Sequence, residues 1–274
     1  MTQYVERIYH MQFVREGIII GPIFLHYYGL IIMLGVLAGV ALAMKVGKKR
    51  GYTPDDYWDM LPWMLVLGIL GARLWHVLMP SRSSGLTFSW YLQHPGEILA
   101  IWKGGLGIPG GVLGGCLGIW IFCKRKKYPF ADFMDTIAPG LPLGQAIGRW
   151  GNYVNQELYG RPSTLPWGIT IDPAYRIPEY ANVATYHPLF LYESLYNLVL
   201  CFVLYRLDQS KKVKLKQGSL FLIYLIAYPV GRFFLEFLRL DTAQVGGINM
   251  NQVVMAATAI ISAIVLIKRE NSGK

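Results

Sequence analysis

Seven apolar stretches, each close to the length of a bilayer crossing, leave this chain few ways to fold. They cover residues 28–44, 58–78, 98–123, 130–150, 189–205, 219–238 and 253–267. A helix needs about 20 mostly apolar residues to cross the hydrocarbon core of a membrane. The expected fold class is therefore an all-α integral membrane protein with seven transmembrane helices. The third run has a glycine-rich middle, and Pro109 within it is expected to kink or break its helix. The fourth is the most polar and is interrupted by Pro139 and Pro142. No internal repeat or low-complexity segment is visible, so residues 1–274 read as a single polytopic membrane domain. A long loop over about 152–188, rich in Pro, Tyr and Gly, reads as an ordered cap at one face.

Composition and charge fit this class. The chain is 54% hydrophobic and 15% charged, against about 25% charged residues in ordinary soluble domains. A net charge of +10 would suit a nucleic-acid binder if the cations shared a face or a tail, but they follow the topology instead. Lys45, Lys48, Lys49 and Arg50 follow the first run, and Lys124, Arg125, Lys126 and Lys127 the third. Arg206, Lys211, Lys212, Lys214 and Lys216 follow the fifth, and Lys268, Arg269 and Lys274 the seventh. These alternate connections lie on one side, which the positive-inside rule makes cytoplasmic. The N-terminus is then expected outside and the C-terminus inside, with no nucleic-acid partner. Residues Ala41-Leu42-Ala43 imitate a signal-peptidase site, but basic residues follow the run rather than precede it, so the first helix is expected to be retained. Cys116, Cys123 and Cys201 lie in apolar runs without metal-ligand or redox spacing and read as packing residues.

The densest polar chemistry is Gly148-Arg149-Trp150-Gly151-Asn152-Tyr153-Val154-Asn155-Gln156-Glu157-Leu158-Tyr159-Gly160-Arg161, at the end of the fourth run. An arginine in a membrane helix calls for a partner, a watery cavity or a substrate. Arg149 and Asn152, three apart, share a helical face, with Asn155 and Glu157 beyond them. A purely structural reading, an Arg–Glu clamp with Asn caps, remains open on spacing alone. In the sixth run Arg232, Glu236 and Arg239 fall at i, i+4 and i+7, one polar stripe on an apolar helix. Arg232 lies roughly 12 Å inward of Leu240 at about 1.5 Å per residue. These residues could also be a structural ion pair, yet planar guanidinium forks in two helices suit a phosphate or phosphodiester. Tyr28 opens the first run, where it is either an interfacial belt residue or a hydrogen-bond donor. Arg73 and His76 share a face of the second run, and His187 with Glu193 opens the fifth. Gly110, Gly114 and Gly118, with Gly111 and Gly115, form small-residue ridges for close helix packing.

The stretch from Gly148 to Gly160 resembles the signature of the bacterial prolipoprotein diacylglyceryl transferases. Supporting segments run in order through the chain: Tyr27-Tyr28-Gly29-Leu30, Trp102-Lys103-Gly104-Gly105, His187-Pro188 with Leu191-Tyr192-Glu193, Arg232-Phe233-Phe234 with Glu236 and Arg239, and Asp241 followed by Asn249-Met250-Asn251-Gln252. The resemblance implies a seven-helix membrane enzyme that moves the diacylglyceryl group of phosphatidylglycerol onto the lipobox cysteine of a preprolipoprotein and releases glycerol phosphate. It implies that Arg149 contacts the lipid headgroup, that Tyr28, Asn152, Glu157 and Gly160 belong to the site, and that Arg232, Glu236 and Arg239 line it. Arg149, Arg232 and Tyr28 are the expected catalytic groups, with Asn155 among the residues binding phosphatidylglycerol. One departure stands out. Where the family pattern has a histidine, in Phe-His-Gly-Gly, this chain reads Ile108-Pro109-Gly110-Gly111. Either no dedicated base is used, or His76 or His187 substitutes. The implied setting is the bacterial cytoplasmic membrane, with the site facing its outer leaflet.

No metal or organic cofactor is expected, and a monomer is. The alternative class is a transporter or flippase for an anionic lipid or solute, in which the same arginines bind without chemistry. An intramembrane protease is disfavoured, because neither a GxSxG serine nor an HExxH helix is present.

Overall fold

The computed structural model describes residues 11–80, 85–240, 242 and 244–272. Arg7, Arg82, Asp241 and Lys274 lie outside the described residues. The chain is mostly helical and divides into two compact units, Met1–Val46 with Met134–Lys274, and Gly47–Phe133.

Among the described residues five helices have the length and composition to cross a membrane: Tyr27–Arg50, Pro54–Leu78, Leu189–Gln209, Ser219–Leu238 and Met250–Asn271. Numbered in chain order, the α-helices of the described residues are α1 Tyr27–Gly47, α2 Pro54–Leu78, α3 Phe88–Gln93, α4 Ile108–Lys126, α5 Phe130–Ile137, α6 Gly140–Asn155, α7 Leu189–Gln209, α8 Ser219–Leu235 and α9 Met250–Asn271.

The other two expected spans take a different form. The run 98–123 is not one helix. Its first part is a 3-10 turn, Ile101–Lys103, followed by Gly104 and Gly105 at φ +82° and +71°, and the helix starts only at Ile108. Of the two expectations for Pro109 it is the break and not the kink that is met: it sits in the first turn of α4, where its missing N–H leaves no bond unmade. Within α4, Gly110, Gly111, Gly114, Gly115 and Gly118 dilute the hydropathy, and Lys124, Arg125 and Lys126 close its end. The run 130–150 is two helices, α5 and α6, separated at Ala138 and Pro139. Pro142 falls in the first turn of α6 and is accommodated there.

In the smaller unit, α2 and α4 pack through their glycines. A Cβ at Gly110 would stand 2.1 Å from the Gly71 carbonyl oxygen, and one at Gly114 would stand 2.0 Å from that of Leu67. Gly118 meets Trp63 in the same way at 2.3 Å. Backbones this close require the Gly110/Gly114/Gly118 ridge. Buried Arg73 of α2 donates to the carbonyls of Glu97 (2.6 Å), Ile98 (2.8 Å), Gly104 (2.7 Å) and Gly105 (3.0 Å), and so clasps the loop that precedes α4. Asp132 of α5 accepts from Arg50 and from the Tyr52 hydroxyl, both at 2.8 Å.

The larger unit opens with an antiparallel sheet: β1 (Met11–Val14), β2 (Gly17–Ile20) and β3 (Ile23–His26). Its register pairs Gln12 with Ile19 and Ile18 with Leu25. α1 then meets α6 through a second glycine contact, Gly35 on the Gly144 carbonyl and Gly39 on that of Gly140, each 2.8 Å from where a Cβ would lie. α7 and α8 pack around Ala138, Leu200, Leu204, Leu220 and Tyr224. The start of α8 is capped by buried Asp135, whose carboxylate accepts from the backbone N–H of Gly218 (2.7 Å) and Phe221 (2.9 Å).

Between α6 and α7 the chain runs through residues 156–188. β4 (Ile169–Thr170) pairs with β5 (Thr185–Tyr186), and Tyr159, Ile171 and Tyr186 form a small core. Tyr159 donates to the Tyr175 carbonyl and accepts from the N–H of Ile177. A last hairpin, β6 (Gln244–Val245) with β7 (Ile248–Asn249), leads into α9.

Candidate functional site: an arginine cleft

The polar stretch at the end of the fourth run sits on the last turns of α6. That helix reaches Asn155, so Asn152 and Asn155 are helical and the loop begins at Gln156, whose φ of +52° ends the helix. Arg149 donates to Asn152 Oδ1 at 3.1 Å, as their three-residue spacing requires. Asn152 in turn donates to Glu157 Oε1 at 2.9 Å, and Asn155 Nδ2 reaches the same oxygen at 3.4 Å. The ion-pair partner of Arg149 is not Glu157 but Glu193 of α7, with Arg149 Nε 3.1 Å from Glu193 Oε1. Glu193 is buried, so this pair is shielded from the screening that makes exposed pairs weak.

A second polar group stands on α8 and the 3-10 turn that follows it, Glu236–Leu238. Glu236 is 2% exposed. Its Oε2 lies 2.7 Å from Arg232 NH2 and 3.7 Å from Arg239 NH1. Its Oε1 accepts from Asn251 at 2.9 Å and Asn249 at 3.4 Å, both at the start of α9. One carboxylate thus holds two guanidinium groups in place.

These two groups meet. Arg149, Asn152, Leu158, Leu189, Phe190, Glu193, Arg232, Leu235 and Arg239 line one narrow cleft of the larger unit. Three guanidinium groups converge on it, and leucines and a phenylalanine complete its wall. The open space in it is about 10 Å³, so it is the chemistry of the lining, guanidinium groups beside apolar walls, and not the volume that suits an anionic oxygen group on an apolar body. A roomier cavity of about 510 Å³ adjoins Leu158 on another side, lined by Glu16, His26, Asn155, Gln156, Glu157, Tyr159, Tyr175 and Ile177. Among the described residues its lining has no lysine or arginine, so its size does not make it the better phosphate site. Its Tyr175 hydroxyl donates to Glu16 at 2.7 Å, and that bond pushes the phenol pKa up. Leu158 separates the two spaces at φ +53°, a left-handed conformation that is uncommon for a bulky side chain and is found where surrounding structure enforces it.

The other expected residues fall around this cleft or away from it. The Tyr28 ring lies against Gly151, where a Cβ would come within 2.6 Å of it, so it stands beside the turn of α6 that carries Arg149 and Asn152. Gly160 is held between two strands of backbone: its N–H donates to the His187 carbonyl at 2.9 Å, and it bridges Arg239. A Cβ there would stand 2.7 Å from that of His187. The ring of His187 bonds the Tyr192 hydroxyl at 3.2 Å and does not line the cleft. His76 belongs to the smaller unit and bonds the Tyr91 hydroxyl at 3.1 Å. One participant escaped sequence reasoning: Tyr228 of α8, whose hydroxyl reaches Glu193 Oε1 at 3.4 Å. Its signal was present, because Tyr228, Arg232 and Glu236 recur every fourth residue on one face. Among the described residues no group of three His, Cys, Asp or Glu side chains gathers as for a metal ion.

Residues 17–268 match the family model described as prolipoprotein diacylglyceryl transferase. The chain belongs to the prolipoprotein diacylglyceryl transferase family. Proteins named phosphatidylglycerol–prolipoprotein diacylglyceryl transferase resemble it over most of their length. That of Trichormus variabilis is 42% identical over 240 residues, covering 86% of this chain and 82% of its own. That of Gloeobacter violaceus is 42% identical over 250 residues, covering 89% and 88%. A Streptomyces coelicolor protein carrying the same name with the suffix 2 is 44% identical over 224 residues, covering 82% and 69%. The family match takes in every residue of the arginine cleft, from both α6 and α8.

Proposed function

We propose that this member of the prolipoprotein diacylglyceryl transferase family carries out its reaction in the arginine cleft. The enzyme moves the diacylglyceryl group of phosphatidylglycerol to a prolipoprotein. In this reading the acceptor is the lipobox cysteine thiol, which attacks the glyceryl carbon bonded to the phosphate ester. A carbon–sulfur bond forms, the carbon–oxygen bond breaks, and glycerol phosphate leaves with the electron pair. Arg149, Arg232 and Arg239 hold the phosphate, and their charge stabilises the negative charge that grows on the leaving oxygen. Asn152 faces the headgroup in the cleft, Glu157 and Asn155 brace it and reach the headgroup from the neighbouring cavity, Gly160 bridges Arg239, Tyr28 stands beside the turn of α6 that carries Arg149, and Glu236 fixes two of the arginines. The observation that supports this most is the convergence of guanidinium groups from two separate helices on one apolar-walled cleft.

The seven-span topology belongs to the same reading. α4, and α5 with α6, supply the two crossings beyond the five long apolar helices, with the N-terminus outside, the C-terminus in the cytoplasm and the cleft toward the outer leaflet of the bacterial inner membrane. The basic ends of α1, α4 and α9 and the loop between α7 and α8 support that orientation.

The test is transfer in detergent or vesicles, read as the mass gained by a lipobox peptide in the presence of phosphatidylglycerol. Arg149→Ala is expected to lower transfer by about 100-fold or more, the scale of removing one preorganised electrostatic contact, while the protein still folds, with a thermal unfolding midpoint lowered by the loss of the partner of buried Glu193. A folded, fully active Arg149→Ala protein rules the assignment out.

A further inference from the structure

The transfer reaction releases the thiol proton, and the cleft itself indicates where it goes. Among its lining residues Glu193 is the one side chain able to take a proton; the others are arginines, an asparagine, leucines and a phenylalanine. Glu193 is 6% exposed and opens α7, one turn beyond Pro188. Two neighbours fix it: Arg149 of α6 through Nε at 3.1 Å, and the Tyr228 hydroxyl of α8 at 3.4 Å. Both contacts fall on Oε1, which leaves Oε2 for a proton. The other charged groups of the cleft are Arg232 and Arg239, and each is already paired with Glu236.

We propose that Glu193 is the proton acceptor for the attacking thiol. This rests on the transfer reading above and adds to it a role for the carboxylate. Arg149 is paired with Glu193. An anionic phosphate brought to Arg149 competes for the same guanidinium, so lipid binding releases the carboxylate from its strongest partner and sets a second negative charge beside it. A carboxylate in that position has gained affinity for a proton at the moment a thiol arrives. The S–H proton passes to Glu193 Oε2, the sulfur pair forms the bond to the glyceryl carbon, and the carbon–oxygen pair departs on the phosphate. The doubly charged glycerol phosphate then takes the proton from Glu193, which returns to its pair with Arg149. Atoms and charge balance, and no further reagent is needed. Tyr228 of α8 contacts the same carboxylate through Oε1.

The experiment compares Glu193→Gln with the parent enzyme on two lipobox peptides, one with cysteine and one with selenocysteine at the acceptor position. A thiol, with a pKa of about 8.5, must lose its proton during the reaction at neutral pH. A selenol is already ionised there and requires no acceptor. Glu193→Gln is expected to lose about 100-fold or more of kcat on the cysteine peptide, with KM for phosphatidylglycerol little changed, and less than about 10-fold on the selenocysteine peptide. Equal losses on both peptides would mean that Glu193 only holds Arg149 and would overturn the proposal, as would full activity on cysteine. If the parent enzyme modifies neither peptide, the transfer reading itself fails, a result distinct from any behaviour of the variant. Should Glu193→Gln not accumulate as folded protein, Glu193→Asp keeps the charge but withdraws the carboxylate by one methylene, and the same pair of peptides decides.

Discussion

Glu236 shows how single residues keep this cleft in shape. Its carboxylate is buried and faces two guanidinium groups and two asparagine amides. Burying ions in a low-dielectric bundle is unfavourable unless each is paired, and taking away one partner leaves the others uncompensated. Here the loss would be shared by Arg232 and Arg239 together. Glu236→Ala is therefore expected to destabilise the protein by about 3–5 kcal/mol, seen as a lowered thermal unfolding midpoint in detergent. Glu236→Gln, which keeps an acceptor for Asn249 and Asn251, should lose less. An alanine variant with an unchanged midpoint would show that the arginines find other partners. The Arg232, Glu236 and Arg239 group was legible in the sequence because a helix turns its own spacing into contact. That Glu193 would pair with an arginine was also legible, but that the arginine is Arg149 was not. The pair joins α6 to α7 across the whole 156–188 segment, and spacing does not select one glutamate over another at that range. Glu157 was the nearer candidate along the chain, yet the left-handed residues Gln156 and Leu158 turn it toward Asn152 and Asn155 instead.

At the scale of elements, the glycines decide which helices approach closely. The Gly110/Gly114/Gly118 ridge was visible as a four-residue repeat, and the structure lays it on α2. The contact of Gly35 and Gly39 with Gly144 and Gly140 has the same spacing on both helices, but nothing in a single sequence says that α1 and α6 are partners. The interruptions of the third and fourth runs were legible as Pro109, Pro139 and Pro142, but hydropathy averaged over a window does not register where the backbone punctuation falls. Gly104 and Gly105 adopt left-handed conformations, and Pro109 and Pro139 begin helices rather than interrupt them. The two faces of the α4 ridge give a paired test. A side chain at Gly114 meets the Leu67 carbonyl at 2.0 Å, whereas one at Gly111 meets the Ala72 side chain at 3.5 Å, an ordinary contact. Gly114→Val should force α2 and α4 apart and cost about 1–3 kcal/mol or more, while Gly111→Ala should leave the unfolding midpoint within a degree or two. Equal effects at both positions would mean that α4 turns a different face to α2.

For the whole molecule the question is which end of the helices faces the cytoplasm. Within the larger unit the basic segments converge. Lys45, at the end of α1, lies over the ring of Tyr205 near the end of α7, at 5.1 Å. Lys216, before α8, donates to the carbonyls of Arg269 (2.7 Å) and Glu270 (2.9 Å) near the end of α9. These contacts bring Lys45 at the end of α1 to the end of α7, and Lys216 before α8 to the end of α9, while the 156–188 segment ties the start of α7 to the turn after α8 through His187, Gly160, Arg161 and Leu238. Cytoplasmic loops carry the excess of lysine and arginine, and anionic lipid on that side attracts each such residue by about 1 kcal/mol. The basic end should therefore be inside and the 156–188 end outside, where the arginine cleft would meet lipid of the outer leaflet. Single cysteines placed in a protein with Cys116, Cys123 and Cys201 replaced by alanine test this with a membrane-impermeant maleimide. Asn182→Cys, on the 156–188 segment, should react in intact cells. Lys212→Cys, between α7 and α8, and Ser272→Cys, beyond α9, should react only after the membrane is opened. The reverse pattern would put the cleft on the cytoplasmic face, with its arginines drawing on the opposite leaflet.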